Sequence, residues 1–379
     1  MRLVLLSCLM LALPALTLAD ALVPMVRCAP ARDVQVTMYA GSDRALVREV
    51  SSVDLAAGQT ELRFHWTDAD IDDSSVALTG PDGVTVGGVR QVPEEPKTFI
   101  WPVTAQEAGV RQFTASYFLR GLHWSPVYYL TVDAVSGKAR LVGKLHLTND
   151  SRYPLRGVHL SLCAAATSVL DKTTGQASLG TYAALEDCTL EPGWQRRVTF
   201  LDTRDVPARV VYRADWETSR TELRRWVLLD LRKIAVPGTL PKGHLEVSEV
   251  LGGKRLPVTG GDLDQQADKD TEIPLGAERD VVYERTLLST RKTDVEFDKI
   301  GRVSGFDTSD ETSAVFRNRL PQAVHIEVIE RVPGKWDLVT KVAPVKQDPN
   351  EVHWEMDLQP NQRAEMQFTA VRHTGTRAK

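Results

Sequence analysis

The chain is poor in the residues that mark most chemistry. Four cysteines in 379 residues are too few for a disulfide scaffold. The eight histidines are scattered singly, with no His-Glu-x-x-His or Cys-x-x-Cys pair to begin a zinc site. There is no Gly-x-Ser-x-Gly and no cysteine in a protease-like setting. A glycosidase needs only two carboxylates, and 50 acidic residues leave no pair to prefer. Acids and bases are interspersed to a net charge of −4, and no basic stripe alternates with aromatics, which argues against nucleic acid as a partner. Helical spacing is almost absent. Beyond the N-terminus no apolar run approaches the ~20 residues of a membrane span, so no transmembrane segment is expected in the mature protein. No cofactor is implied.

What is present begins with an export signal. Arg2 is followed by residues 3–18, apolar apart from Ser7, Pro14 and Thr17, and then by Ala19-Asp20-Ala21. This reads as a secretory signal peptide (1–21) cleaved after Ala21 or Ala19, which places the mature protein in the periplasm or outside the cell.

The remaining chain alternates with a period of two. Val34, Val36 and Met38 alternate with Gln35 and Thr37. The same holds for Val158, Leu160 and Leu162, for Val324, Ile326 and Val328, and for Val352, Trp354, Met356 and Leu358. Such alternation buries one face of a strand and wets the other. Turn chemistry such as Pro81-Asp82-Gly83 and Asp348-Pro349-Asn350 punctuates the runs. The expected fold is all-β: tandem antiparallel β-sandwich domains of immunoglobulin-like type with very little helix. Domains are expected at 33–133, at 137–290 with an exposed loop at 260–272, and at 293–372, followed by a disordered tail at 374–379.

One internal echo stands out. Leu145-His146-Leu147-Thr148-Asn149, then Pro154-Leu155, then Val158-His159-Leu160-Ser161-Leu162, parallels Ala314-Val315-Phe316-Arg317-Asn318, then Pro321-Gln322, then Val324-His325-Ile326-Glu327-Val328. Each reads as strand, Asn turn, Pro, strand.

Several segments, taken in order, resemble a bacterial domain without assigned activity found in mucoidy-inhibitor-type exported proteins. They include Val34 to Tyr39 with Ala45 to Glu49, Trp124-Ser125-Pro126-Val127-Tyr128-Tyr129-Leu130, Ile273-Pro274-Leu275-Gly276, Trp336-Asp337-Leu338 and Asp348-Pro349-Asn350. The heptad-rich insert of longer members is missing here. The resemblance implies the β fold and the exported compartment and carries no catalytic residues.

Candidate sites are few. Trp101, Tyr117, Trp124, Tyr128 and Tyr129 are the aromatics from which a sugar-stacking face could be built. Asp68, Asp70 and Asp72 place carboxylates at alternate positions, as calcium accepts, but Asp73 and Thr79 stand where an EF-hand needs Gly and Glu. Cys163 and Cys188 are the pair an oxidising compartment could bridge. The leading functional expectation is a non-enzymatic cell-envelope protein that binds another envelope protein. A carbohydrate-binding protein for cell-wall or exopolysaccharide glycans is the alternative, and an unrecognised hydrolase ranks third.

Overall fold

The computed structural model describes residues 23–378 except 29–30, 32, 68–69, 164–180, 218–221, 235–239, 252 and 266–268. Residues 1–21, expected to be a signal peptide, lie outside the described residues. Strand makes up 71% of the described residues and helix 3%, so the protein is all-β. No helix among the described residues is long and apolar enough to cross a membrane.

The strands, in chain order, are β1 (Met25–Arg27), β2 (Asp33–Tyr39), β3 (Arg44–Leu55), β4 (Gly58–His65), β5 (Ala77–Thr79), β6 (Val84–Val86), β7 (Arg90–Gln91), β8 (Thr98–Ala105) and β9 (Gly109–Arg120). A middle group follows: β10 (Leu122–Asp133), β11 (Lys138–Asn149), β12 (Leu155–Cys163), β13 (Thr181–Leu190), β14 (Gln195–Asp215), β15 (Glu222–Leu229), β16 (Gly243–Leu251) and β17 (Lys254–Leu263). The last are β18 (Thr271–Phe297), β19 (Val303–Asn318), β20 (Val324–Arg331), β21 (Trp336–Thr340), β22 (Lys346–Gln347), β23 (Glu351–Leu358) and β24 (Arg363–Gly375).

The chain folds one pattern twice. In the first half a sheet runs β13-β12-β2-β3-β9, and in the second half its counterpart runs β23-β20-β14-β15-β18. The ladder β10-β11-β14 has its counterpart in β18-β19-β24. Each antiparallel or parallel pairing of one set recurs in the other. The Asn echo in the sequence marks this duplication. Asn149 faces Leu122 across β10·β11, and Asn318 faces Val281 across β18·β19. Gly121, at φ 82°, lets β9 turn into β10 while passing so close to Ser151 that a Cβ would lie 2.7 Å from its backbone nitrogen.

Three cores result. The first joins both sheets of the N-terminal half and contains Val47, Leu62, Trp101, Phe113, Leu147 and Leu160. The second gathers Tyr128, Leu141, Val206, Val227, Leu245 and Ile273. The third holds Tyr212, Leu223, Tyr283, Phe316, Ile326 and Trp354. Each such side chain contributes about 1.5–3 kcal/mol by leaving water.

Several expectations need correction. The sheets are mixed: β1·β4, β2·β12, β10·β16 and β14·β20 run parallel. The boundary at 133–137 is the turn of the β10–β11 hairpin, and the one at 290–293 falls inside β18, because single long strands pass from one core to the next. The loop expected at 260–272 is in part strand. Residues 260–263 end β17, an edge strand too exposed to alternate, and Thr271 opens β18 as a buried residue.

Of the tail expected to be disordered at 374–379, the described residues 374–378 are held down rather than frayed. Gly375 closes β24, and Arg377 grips Asp307 with two bonds of 2.6 Å. His373 Nδ1 lies 2.8 Å from Asp307 and its Nε2 3.0 Å from Asp337. Arg377, then His373, hold the Asp307 carboxyl down at about 2, and the Asp307 bond raises the His373 imidazole. A depressed acid stabilises above its ordinary value of 3.8 and loses that contribution as the pH falls towards 2. Native-state hydrogen exchange of 363–375 should therefore accelerate in that window, and in Arg377→Ala it should already be fast at pH 6. Unchanged protection in the variant would show that the tail is not the clamp.

Candidate functional site

The structure disperses the residues singled out from the sequence. Trp101, Tyr117, Trp124 and Tyr128 are all buried, at 3% exposure or less. Three of them engage their polar atoms inside: Tyr117 with Glu49, Trp124 with the Met38 carbonyl and Tyr128 with the Pro241 carbonyl. They occupy the inward phase of their strands and cannot stack on a sugar. Tyr129 is half-buried on the opposite phase, with the Lys144 ammonium 5.2 Å from its ring centre.

The cysteine pairing is also corrected. Cys188 lies opposite Val158 and Cys163 opposite Thr181 on the β12·β13 ladder. Five residues of β12 thus separate the two registers, roughly 16 Å at about 3.3 Å per residue, beyond the reach of a disulfide. No disulfide joins them. Cys188 instead lies 3.6 Å from an Arg196 nitrogen.

Of the proposed calcium ligands, Asp68 lies outside the described residues. Asp72 is committed to Arg44 and to the Ser74 hydroxyl and amide, where it caps the short 3-10 turn Asp73–Ser75. The Ser74 bond, with Arg44, pulls its carboxyl below the usual range. Asp70 contributes its backbone carbonyl to Arg120. These are turn and ion-pair roles.

A cleft of about 620 Å³ lies over the polar face of β14, β20 and β23. There Arg213 donates to Glu327 at 2.8 and 3.0 Å and to Glu272 at 2.8 and 3.2 Å, with its guanidinium 5.1 Å from the Trp226 ring. His325, Glu327 and Glu355 bring one ligand atom each within 4.8 Å of one another, the one such trio among the described residues. Arg209 lies 3.2 Å from His325 Nε2, and Arg213 already occupies Glu327. A metal ion would meet two guanidinium groups, so the trio is built as an ion-pair network.

The unmatched feature of the duplication is an edge. In the first half, β16 lies parallel on the outer edge of β10, from Val127 opposite His244 to Val132 opposite Glu249. β17 then covers β16. Thr286 stands five residues beyond Val281, as Val127 stands beyond Leu122, and there the described residues of the second half hold no counterpart to β16. From 283 to 297, the backbone of β18 pairs with β19 alone among the described residues. Leu287 (53% exposed), Phe297 (63%) and Ile300 (71%) stand out in water along this edge and the β18–β19 turn. An open edge is a row of unsatisfied backbone donors and acceptors, and its flanking apolar groups are what a strand partner would cover.

No protein-family model matches the chain, and no curated protein matches it at a significant level.

Proposed function

We propose that the chain is an exported, non-enzymatic protein of the cell envelope that binds a partner protein by strand addition along residues 283–297 of β18. The observation that carries this reading is the duplication: the edge that β16 occupies on β10 is open on β18 among the described residues. The intramolecular example specifies the partner's chemistry. It is an extended segment laid parallel, with alternate apolar residues as Leu245 and Val247 alternate on β16. Export rests on Arg2, the apolar residues 3–18 and Ala19-Asp20-Ala21, and on the ordered segments resembling mucoidy-inhibitor-type proteins. The glycan alternative loses its carriers, since four of its five aromatics are buried.

A photo-crosslinker at 288 should capture a specific envelope protein, whereas one at 256 on β17 should not. Leu287→Glu with Phe297→Glu should weaken that capture about tenfold or more, since each large apolar side chain left in water forfeits roughly 1.5–3 kcal/mol. Capture that is equal at both positions, or indifferent to the double substitution, would sink the reading.

A further inference from the structure

The inward phase of β3 reads Ala45, Val47, Glu49, Ser51, Val53, Leu55, so an acid stands where the core pattern calls for an apolar residue. Glu49 is 7% exposed. Its carboxylate accepts from Trp66 Nε1 at 3.0 Å and from the Tyr117 and Tyr153 hydroxyls at 2.7 Å each. All three donors are neutral, and no cation pairs with Glu49 among the described residues. A buried ion ordinarily has a counter-ion or is replaced by something apolar.

The carboxylate lines a cavity of about 450 Å³ whose walls include Phe64, Trp66, Tyr153 and Cys28, together with His65, which lies 2.8 Å from the Thr98 hydroxyl, and Arg156, which donates to Glu191 at 2.5 and 3.0 Å rather than to Glu49. Phe64 and Trp66 stack at 5.8 Å, and Trp66 meets Tyr117 edge-on at 5.0 Å, so the aromatic wall is rigid. Burial and the neighbouring carboxylate push both tyrosine hydroxyls up, which keeps them protonated as donors to Glu49. Burial also pushes the Cys28 thiol up to about 12, so the wall offers no thiolate. A carboxylate that no cation pairs among the described residues, walled by aromatic rings and open on one side, is the chemistry that selects an ammonium group.

We propose that the Glu49 cavity binds a small organic ammonium ion, its charge on the carboxylate and its alkyl substituents against Phe64, Trp66 and Tyr153. This site lies in the first core, apart from the β18 edge, and does not depend on the strand-addition reading.

Calorimetry with the full mature chain tests it, using choline and ethanolamine against 3,3-dimethylbutan-1-ol, the uncharged isostere of choline. The cations should bind and the isostere should bind about tenfold more weakly or not at all, as expected when a charge-assisted contact is lost. Glu49→Gln should lose cation binding by the same factor, while Val135→Ala, in the exposed β10–β11 turn away from the cavity, should retain it. If Glu49→Gln does not fold, the choline-to-isostere ratio on the unaltered protein still decides. Flotation with phosphatidylcholine vesicles, competed by free choline, identifies a lipid headgroup as the source of the ammonium, and binding of free choline without flotation identifies a soluble ligand. Equal affinity for choline and its isostere, binding of glucose or N-acetylglucosamine in preference to both cations, or no binding at millimolar cation would each overturn the proposal.

Discussion

Asn318→Ala is expected to open the C-terminal core, and Asn149→Ala the N-terminal one, each at a cost of about 3 kcal/mol or more. Both side chains are fully enclosed, at 1% and 0% exposure. Asn149 donates to the Tyr153 and Leu190 carbonyls at 2.9 and 2.8 Å and accepts from the Ser151 amide at 3.0 Å. Asn318 donates to the Gln322 and Leu358 carbonyls at 2.7 and 3.1 Å and accepts from the Leu320 amide at 3.0 Å. Each amide therefore joins its own turn to the end of a strand about forty residues on. Alanine would leave the buried Leu190 or Leu358 carbonyl without its side-chain donor, at roughly 1–3 kcal/mol unless water reaches it, and would also release a part-buried turn carbonyl and a turn amide. Aspartate, equal in shape but without the NH₂ donors, should be no better. Hydrogen exchange assigns the damage: β20 and β23 should lose protection in Asn318→Ala, and β12 and β13 in Asn149→Ala. A loss below about 1 kcal/mol in both variants would remove the asparagines from the account of the fold.

Those asparagines also show what a sequence can and cannot reveal. The two echoing segments were legible because a turn and two alternating strands are local. The staple that gives the echo its meaning reaches a carbonyl about forty residues away and leaves no local trace. All-β character was legible for the same local reason. The burial of Tyr128 was legible too, since it shares a phase with Leu122, Trp124, Leu130 and Val132 on β10. Glu49 could have been found in this way, as the one acid on the inward phase of β3. Register was not legible. Cys163 and Cys188 sit on adjacent strands, as expected, but the β12·β13 ladder shifts three times and carries them past each other. Nor was β17, because an edge strand exposed on both faces has no reason to alternate. The parallel pairings depend on which distant strand arrives at an edge, and composition does not encode that.

The change of character at Arg285 leads to the second large effect. β10 continues its inward phase from Trp124 through Pro126 to Tyr128, Leu130 and Val132, under the cover of β16. On β18 the same phase runs Val281, Tyr283 and then Arg285, four residues past Val281 as Pro126 is past Leu122. Arg285 ends the apolar face by binding Glu330 at 2.6 and 3.2 Å, with its guanidinium 4.2 Å from the Trp216 ring. Both side chains are largely enclosed, at 12% and 9% exposure. Burial raises the Glu330 carboxyl even though Arg285 opposes it, and Asp215 and Glu217 push it further up.

Arg285→Met should therefore cost about 3–5 kcal/mol at pH 7, because it leaves a buried carboxylate beside other acids. The sign of the pH dependence follows from the raised value. An acid whose folded pKa lies above its ordinary 4.5 favours the fold in its neutral form, and that contribution fades as the pH rises through the folded value. The deficit of Arg285→Met should thus be full at neutrality, shrink as the pH falls through the raised folded value, and be smallest below pH 4.5. Arg285→Met with Glu330→Leu should recover most of it, since an apolar pair of similar volume has no charge to desolvate. Denaturant unfolding at pH 4 and pH 7, monitored by exchange of β18 and β20, measures all three. An equal deficit at both pH values, or no recovery in the double variant, would mean that Arg285 acts through packing on Trp216 and not by neutralising Glu330.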